Sequence, residues 1–271
     1  MLSSTTDQVI DTAVPSRPSR GLFAAEVPRA MWEIAFLQSV RPLLAATPRG
    51  DGHPVVVLPG FTAGDGSTRF LRHFLRTRGY HVHAWRLGSN AGPTRRIVAG
   101  LEERFLQLSE QHGQRVSVVG WSLGGTYARE IAHDHPERVR HVVTLGTPHH
   151  LDSIDQVAAG PLFKALSGRF DPDAMTADDL GADREPLRVP STSIYSRTDG
   201  FVPWQLCAAA EGPRQEHVEV RGSHLGLGFN PVALAIVADR LALPEDQWSP
   251  FSESKLARLV SATTRRPQRA S

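Results

Sequence analysis

The chain has almost no cysteine: Cys207 stands alone among 271 residues, so no internal disulfide can form and nothing points to an oxidising compartment. A membrane-spanning helix is excluded next, because no stretch reaches the roughly 18 consecutive apolar residues that one needs. Lysine is nearly missing too. Lys164 and Lys255 are the only two, and arginine carries the rest of the positive charge. The formal net charge of +2 and isoelectric point near 9.0 come without any basic run interleaved with aromatics, so a nucleic-acid surface is not expected. Residues 1–20 lack the basic start and apolar core of a secretory signal and carry Asp7 and Asp11 among scattered Pro and Ser. They read as a disordered leader, and the expectation is a cytoplasmic protein. Metal sites are thinly supported. His81 and His83 alternate on one strand face with no third ligand at a convincing spacing, and the aspartates between 152 and 183 lack the order of a calcium loop. No metal or cofactor is expected.

What is present centres on residues 116–132. Val116, Val118 and Val119 form a β-branched run, and Tyr127, Ala128, Ile131 and Ala132 then recur at helical spacing. Between them lies Gly120-Trp121-Ser122-Leu123-Gly124. A strand that turns sharply into a helix brings two backbones together, which glycine on either side of the turning residue allows. Ser122 would then stand on a strained turn, its hydroxyl above the sheet and the Leu123 amide aimed at any oxyanion formed there.

Around that stretch, strands and helices alternate. Strands are expected at 54–58, 80–87, 139–146, 192–197 and 217–221, and helices over 94–112 and from Pro231, with Asn230 as its cap. Alternation at this interval implies parallel pairing through right-handed crossovers, with ligand-binding loops along one rim. Before the domain, residues 21–50 contain a helix, expected to break near Pro42 and to pack on the domain's flank through Met31, Ile34, Ala35 and Leu37. A peripheral membrane contact through that helix is the alternative.

These features resemble the α/β-hydrolase fold family, and within it bacterial lipases and esterases. The resemblance implies a mostly parallel central sheet flanked by helices over residues 51–243 and a lid or cap inserted at 151–190; past Pro244 the regular pattern fades, and Lys255, Arg258, Arg265, Arg266 and Arg269 make 244–271 a basic C-terminal extension. The resemblance also implies the chain order nucleophile, acid, histidine. Asp199, in the loop after the strand at 192–197, is then the acid, and His224, between Gly222 and Gly226, is the histidine. His149 and His150 are the rivals. The family's second oxyanion donor falls on the Phe61 amide, beside that of Leu123; Pro59 stands where many members carry histidine.

Trp121, Phe201, Trp204 and Leu225 lie near the expected rim and suggest an apolar acyl-chain site. The implied activity is hydrolysis of a small, lipid-like carboxylic ester through an acyl-enzyme on Ser122. The same machinery could serve an acyltransferase or an amidase, and a non-catalytic binding scaffold is the alternative from another class. The oligomeric state is not legible.

Overall fold

The β-branched runs pair into one sheet in the computed structural model, which describes residues 17–151, 153–170, 186–208, 211–245 and 247–252. Its strands are β1 (Pro54–Leu58), β2 (His81–Ala84), β3 (Val116–Trp121), β4 (Val139–Leu145), β5 (Ser191–Tyr195) and β6 (Gln215–Glu219). They lie in the order β2-β1-β3-β4-β5-β6, and every neighbouring pair is parallel. The helices are α1 (Arg20–Ala24), α2 (Glu26–Leu44), α3 (Arg69–Thr77), α4 (Arg95–His112), α5 (Leu123–Asp134), α6 (Gly160–Leu166) and α7 (Pro231–Leu241).

Parallel strands covered on both faces are apolar along their whole length, and β1 and β3 are buried at every residue. Successive side chains of a strand point to opposite faces. Val56 and Val118 therefore join Ile97, Leu101 and Phe105 of α4 and Tyr127 of α5, whereas Val55, Val57 and Val119 join Leu71 and Leu75 of α3 and the apolar face of α7. Each buried valine contributes roughly 1.5–3 kcal/mol. Local signals fix the helix ends: the Thr94 side chain accepts from the Ile97 amide, and Gly113 closes α4 at φ 58°. At α7, the Asn230 side chain accepts from the Val232 and Ala233 amides, with Pro231 first in the helix.

Two expectations about the N-terminal helix change. It does not break at Pro42, which sits in the last turn of α2. Its inward face is also different. The buried residues are Glu26, Ala30, Glu33, Leu37 and Leu44, whereas Val27, Met31, Trp32, Ile34 and Phe36 are exposed. His217 lies in the middle of β6 rather than at its end, paired with Ser193.

Between residues 151 and 190, where a lid or cap is expected, a 3₁₀ turn (Ile154–Gln156), α6 and a second 3₁₀ turn (Ser167–Arg169) follow one another. Position 152 and residues 171–185, with most of the aspartates, lie outside the described residues, as do 1–16 of the leader and 253–271 of the extension. At the start of that extension Phe251 packs against the core that holds α7, and its amide donates to Glu216 Oε2 at 2.6 Å.

Candidate active site

Strand order reverses between β1 and β3, since β1 is followed outward by β2 and the chain then returns to β3. Open α/β sheets bind ligands at the carboxyl ends of strands at such a point. Leu58 pairs with Gly120, which sets the loop Pro59-Gly60-Phe61 beside Trp121-Ser122. The glycines make this approach feasible. A Cβ on Gly124 would lie 2.5 Å from the Leu58 carbonyl oxygen, one on Gly120 would lie 2.3 Å from the Gly124 oxygen, and one on Gly60 would lie 3.2 Å from Ser122 Cβ.

Ser122 occupies the turn with φ 52° and ψ −126°, a conformation that costs a non-glycine residue on the order of 1–3 kcal/mol and persists only where the surroundings enforce it. The enforcing contacts are visible. Its amide donates to the Leu145 oxygen at 2.8 Å, and its carbonyl accepts from the Gly125 amide at 2.8 Å and from Thr147 Oγ1 at 2.9 Å. Leu123 opens α5, so its N–H has no partner within the helix. Among the described residues the Phe61 amide likewise donates to no acceptor.

Asp199 and His224 meet on the same rim. Asp199 Oδ2 lies 2.6 Å from His224 Nδ1, and Oδ1 accepts from the Phe201 and Val202 amides at 2.7 and 2.8 Å. The carboxylate is thus held on both oxygens. Gly146, at φ 56°, leaves space for the pair, because a Cβ there would sit 3.0 Å from Nδ1 and 3.1 Å from Oδ2. Burial opposes charge on the His224 imidazole, but the Asp199 carboxylate, its hydrogen bond and the more distant Glu26 carboxylate outweigh it. The imidazole pKa therefore lies above its ordinary value. The Ser122 hydroxyl makes no hydrogen bond among the described residues, to His224 or to any other group. Catalytic hydrogen bonds are often long until a substrate is bound.

The expected substrate-binding residues divide. Phe61 and Phe201 line a cavity that opens on Ser122, with Leu123, Leu151, Ile154, Val157 and Phe163 completing mostly apolar walls. Phe201 also stacks on the His224 ring, centroids 5.1 Å apart, and so joins the cavity to the histidine. Trp121, Trp204 and Leu225 are not in these walls. Trp121 ends β3 on the opposite face of the sheet, where its Nε1 donates to the His224 carbonyl at 3.1 Å and its ring meets Phe229 edge-on. Trp204 stacks on Tyr195, with the Arg197 guanidinium 4.1 Å from its ring centre. The Leu225 amide donates to Glu26 Oε2 at 2.9 Å.

Of the rival histidines, His149 is buried and hydrogen-bonded to Ser193 Oγ at 3.1 Å, and its burial drives the imidazole pKa well down. No cluster of three metal-ligating side chains occurs among the described residues.

Residues without any sequence motif also reach the site. Asn90, fully buried, donates from Nδ2 to the Pro59 carbonyl at 2.9 Å, and its backbone exchanges hydrogen bonds with Thr62 and Ala63. It braces the Phe61 loop at both ends, at Pro59 and at Thr62 and Ala63. Glu26 and Glu33 of α2 accept from amides of the Asp199 and His224 loops. The one signal for them was a carboxylate at each of two positions in a stripe of seven-residue spacing with Ala30, Leu37 and Leu44.

A family model described as the alpha/beta hydrolase fold matches residues 53–179. A carboxylesterase of Bacillus subtilis (strain 168) is 24% identical over 122 residues, which is 42% of this chain and 49% of the relative. The chain thus spans about half the length of the curated relative it matches. Lipase B of Aspergillus fumigatus superposes with a TM-score of 0.57 at 17% identity, over 79% of this chain and 57% of that one. A monoacylglycerol lipase of Paleococcus ferrophilus gives 0.51 at 16% identity, over 71% and 96%. At these identities the structural likeness speaks for the fold alone. With the matched sequence running through the strand, the elbow and the helix behind it, and the parallel sheet in the order described, the chain has the α/β-hydrolase fold.

Proposed function

We propose that the protein hydrolyses carboxylic esters with apolar acyl chains, through an acyl-enzyme on Ser122. The observation that carries the reading is a serine on a strained elbow that lines an apolar cavity, whose wall residue Phe201 stacks on the ring of a buried Asp199–His224 pair. In this reading His224 Nε2 takes the hydroxyl proton as Ser122 Oγ bonds to the substrate carbonyl carbon. Asp199 fixes the proton on Nδ1 and stabilises the imidazolium. The Phe61 and Leu123 amides receive the oxyanion, each contributing roughly 3 kcal/mol to lowering the barrier. The carbon–oxygen bond to the alcohol then breaks as His224 returns its proton to the leaving oxygen. Water, deprotonated by the same imidazole, attacks the acyl carbon, and Ser122 leaves with the proton.

The carboxylesterase and lipase names of the relatives agree with ester cleavage. The walls of Phe61, Leu151, Ile154, Val157, Phe163 and Phe201 favour a hydrocarbon acyl group over a charged or sugar-bearing one. The insertion supplies four of these six residues, consistent with a cap over the acyl chain. A panel of p-nitrophenyl esters tests the reading: kcat/KM is expected to rise from acetate to medium-chain acyl groups. A preference for charged or glycosylated esters over every simple alkyl ester would overturn it.

A further inference from the structure

The acid and histidine loops leave different strands, and their 2.6 Å contact depends on something that holds one loop against the other. The Ser196 and Thr198 side chains join the two loops at Gly222, and a carboxylate from α2 joins them beside the pair itself. Glu26 is 1% exposed, and its Oε1 accepts from the Gly200 amide at 2.7 Å and the His224 amide at 3.0 Å, while Oε2 accepts from the Leu225 amide at 2.9 Å. Gly200 directly follows Asp199, so one oxygen receives amides adjacent to each half of the pair. Arg29, one turn later, donates from Nη1 to the Thr198 carbonyl at 2.7 Å and from Nη2 to Thr198 Oγ1 at 2.8 Å. Glu33, two turns beyond Glu26, accepts from the Ser223 amide at 2.7 Å and from Ser223 Oγ at 3.0 Å.

The loops are shaped to receive these groups. A Cβ on Gly226 would fall 1.4 Å from Glu33 Oε2, and one on Gly200 would fall 2.6 Å from the Leu22 carbonyl oxygen and 2.8 Å from Glu26 Cγ. A buried carboxylate costs heavily unless charge-assisted hydrogen bonds satisfy it, and an apolar residue would dock the helix at less cost. The helix instead spends two carboxylates and a guanidinium on the backbone of the Asp199 and His224 loops.

We propose that α2 is part of the catalytic apparatus: Glu26 is a positioning residue whose carboxylate fixes the acid loop and the histidine loop relative to each other, with Arg29 and Glu33 holding the flanking residues. The inference rests on Asp199 and His224 serving Ser122. It extends the working site to a helix that precedes the matched family segment at 53–179. The charged groups facing His224 are Asp199 from the acid loop and Glu26 from α2, and the Arg29 guanidinium lies 3.9 Å from Glu26 Oε1, the oxygen that receives the Gly200 and His224 amides.

The test compares Glu26→Gln with Leu37→Ala, a core truncation on the same helix that removes no hydrogen bond to either loop. Two readouts are taken on the folded full chain: the rate of fluorophosphonate labelling at Ser122, and titration of His224 by NMR with isotope-labelled histidine. Glu26→Gln is expected to slow labelling about ten- to a hundredfold, as small misplacements of reacting groups do. It should also lower the His224 pKa, because a negative charge that favours imidazolium is gone. Leu37→Ala is expected to lose stability while keeping the wild-type labelling rate and titration. Wild-type values of both readouts in folded Glu26→Gln, or equal losses in Leu37→Ala, would overturn the proposal. Should Glu26→Gln not fold, Glu33→Gln takes its place. A labelling rate at least about tenfold slower supports the proposal, and an unchanged rate overturns it. A wild type that does not label at Ser122 strikes the hydrolase reading instead, and the His224 titration still decides whether Glu26 acts on the imidazole.

Discussion

The His224 imidazole carries the sharpest consequence among single residues. Its ring is held by Asp199 and its pKa lies above the usual histidine value, so at mildly acidic pH it is protonated and cannot accept the Ser122 proton. Ester hydrolysis should therefore lose activity as pH falls through a value above about 6.5. In Asp199→Asn the main raising influence is removed, and burial, which lowers the pKa, is opposed only by the more distant Glu26 carboxylate. The acid limb should move to lower pH while kcat falls by roughly 10³–10⁴-fold, since the imidazole is no longer held in the productive tautomer. A pH–kcat/KM profile of the two proteins decides this. Cys207 gives a contrary case: it is fully buried, and burial pushes its thiol pKa well up, so a thiol reagent should modify it only on unfolding. The placement of Ser122 on the sharp turn and of Asp199 and His224 in loops at strand ends was legible, because a turn flanked by glycines and strand ends are sequence properties. Trp121 and Trp204 were not. Adjacent strand residues face opposite sides of a sheet, so nearness to Ser122 in sequence placed Trp121 behind the His224 carbonyl rather than in the cavity.

Among elements, the site depends on two backbones meeting at van der Waals distance and on one asparagine that holds the loop between them. Gly124→Ala would put a methyl group 2.5 Å from the Leu58 carbonyl and 2.7 Å from that of Pro59, both backbone atoms with nowhere to retreat. Loss of hydrolysis together with a lower melting temperature is the expected result, measured by activity assay and thermal denaturation. Asn90→Ala should act more selectively. It leaves the Pro59 carbonyl without its 2.9 Å donor and frees the loop that presents the Phe61 amide. A decrease in kcat of about tenfold or more with little change in KM is expected, and a change confined to KM would place Asn90 outside oxyanion binding. The strands and the helices α4, α5 and α7 followed from periodicity and caps. The face of α2 did not, because its apolar residues Met31, Trp32 and Phe36 point outward while Glu26 and Glu33 point in. Periodicity assumes that the apolar stripe is the buried one, and here the partner of the helix is loop backbone, which asks for acceptors.

For the whole molecule, the far edge of the sheet is secured by an ion-pair network that no motif announced. The Arg240 side chain is completely buried, pairs with Glu216 at 3.1 Å and with Asp239, and donates to the Ser249 carbonyl at 2.6 Å. It ties α7, β6 and the chain beyond α7 together, and α7 packs behind the loop that bears His224. Arg240→Ala should cost about 3–5 kcal/mol in chemical denaturation, the usual penalty for leaving one side of a buried pair. Its ester-cleavage parameters should stay near wild type where the protein remains folded, since the network lies away from the elbow. The account as a whole depends on Ser122 being a nucleophile activated by His224. The most direct measurement is covalent labelling of the intact protein by a fluorophosphonate across pH 5 to 9, with the modified residue located by peptide mass spectrometry. The prediction is a single adduct on Ser122, formed faster as pH rises through the His224 pKa and absent in Ser122→Ala. No adduct on folded wild type, or labelling that persists unchanged in Ser122→Ala, would contradict it.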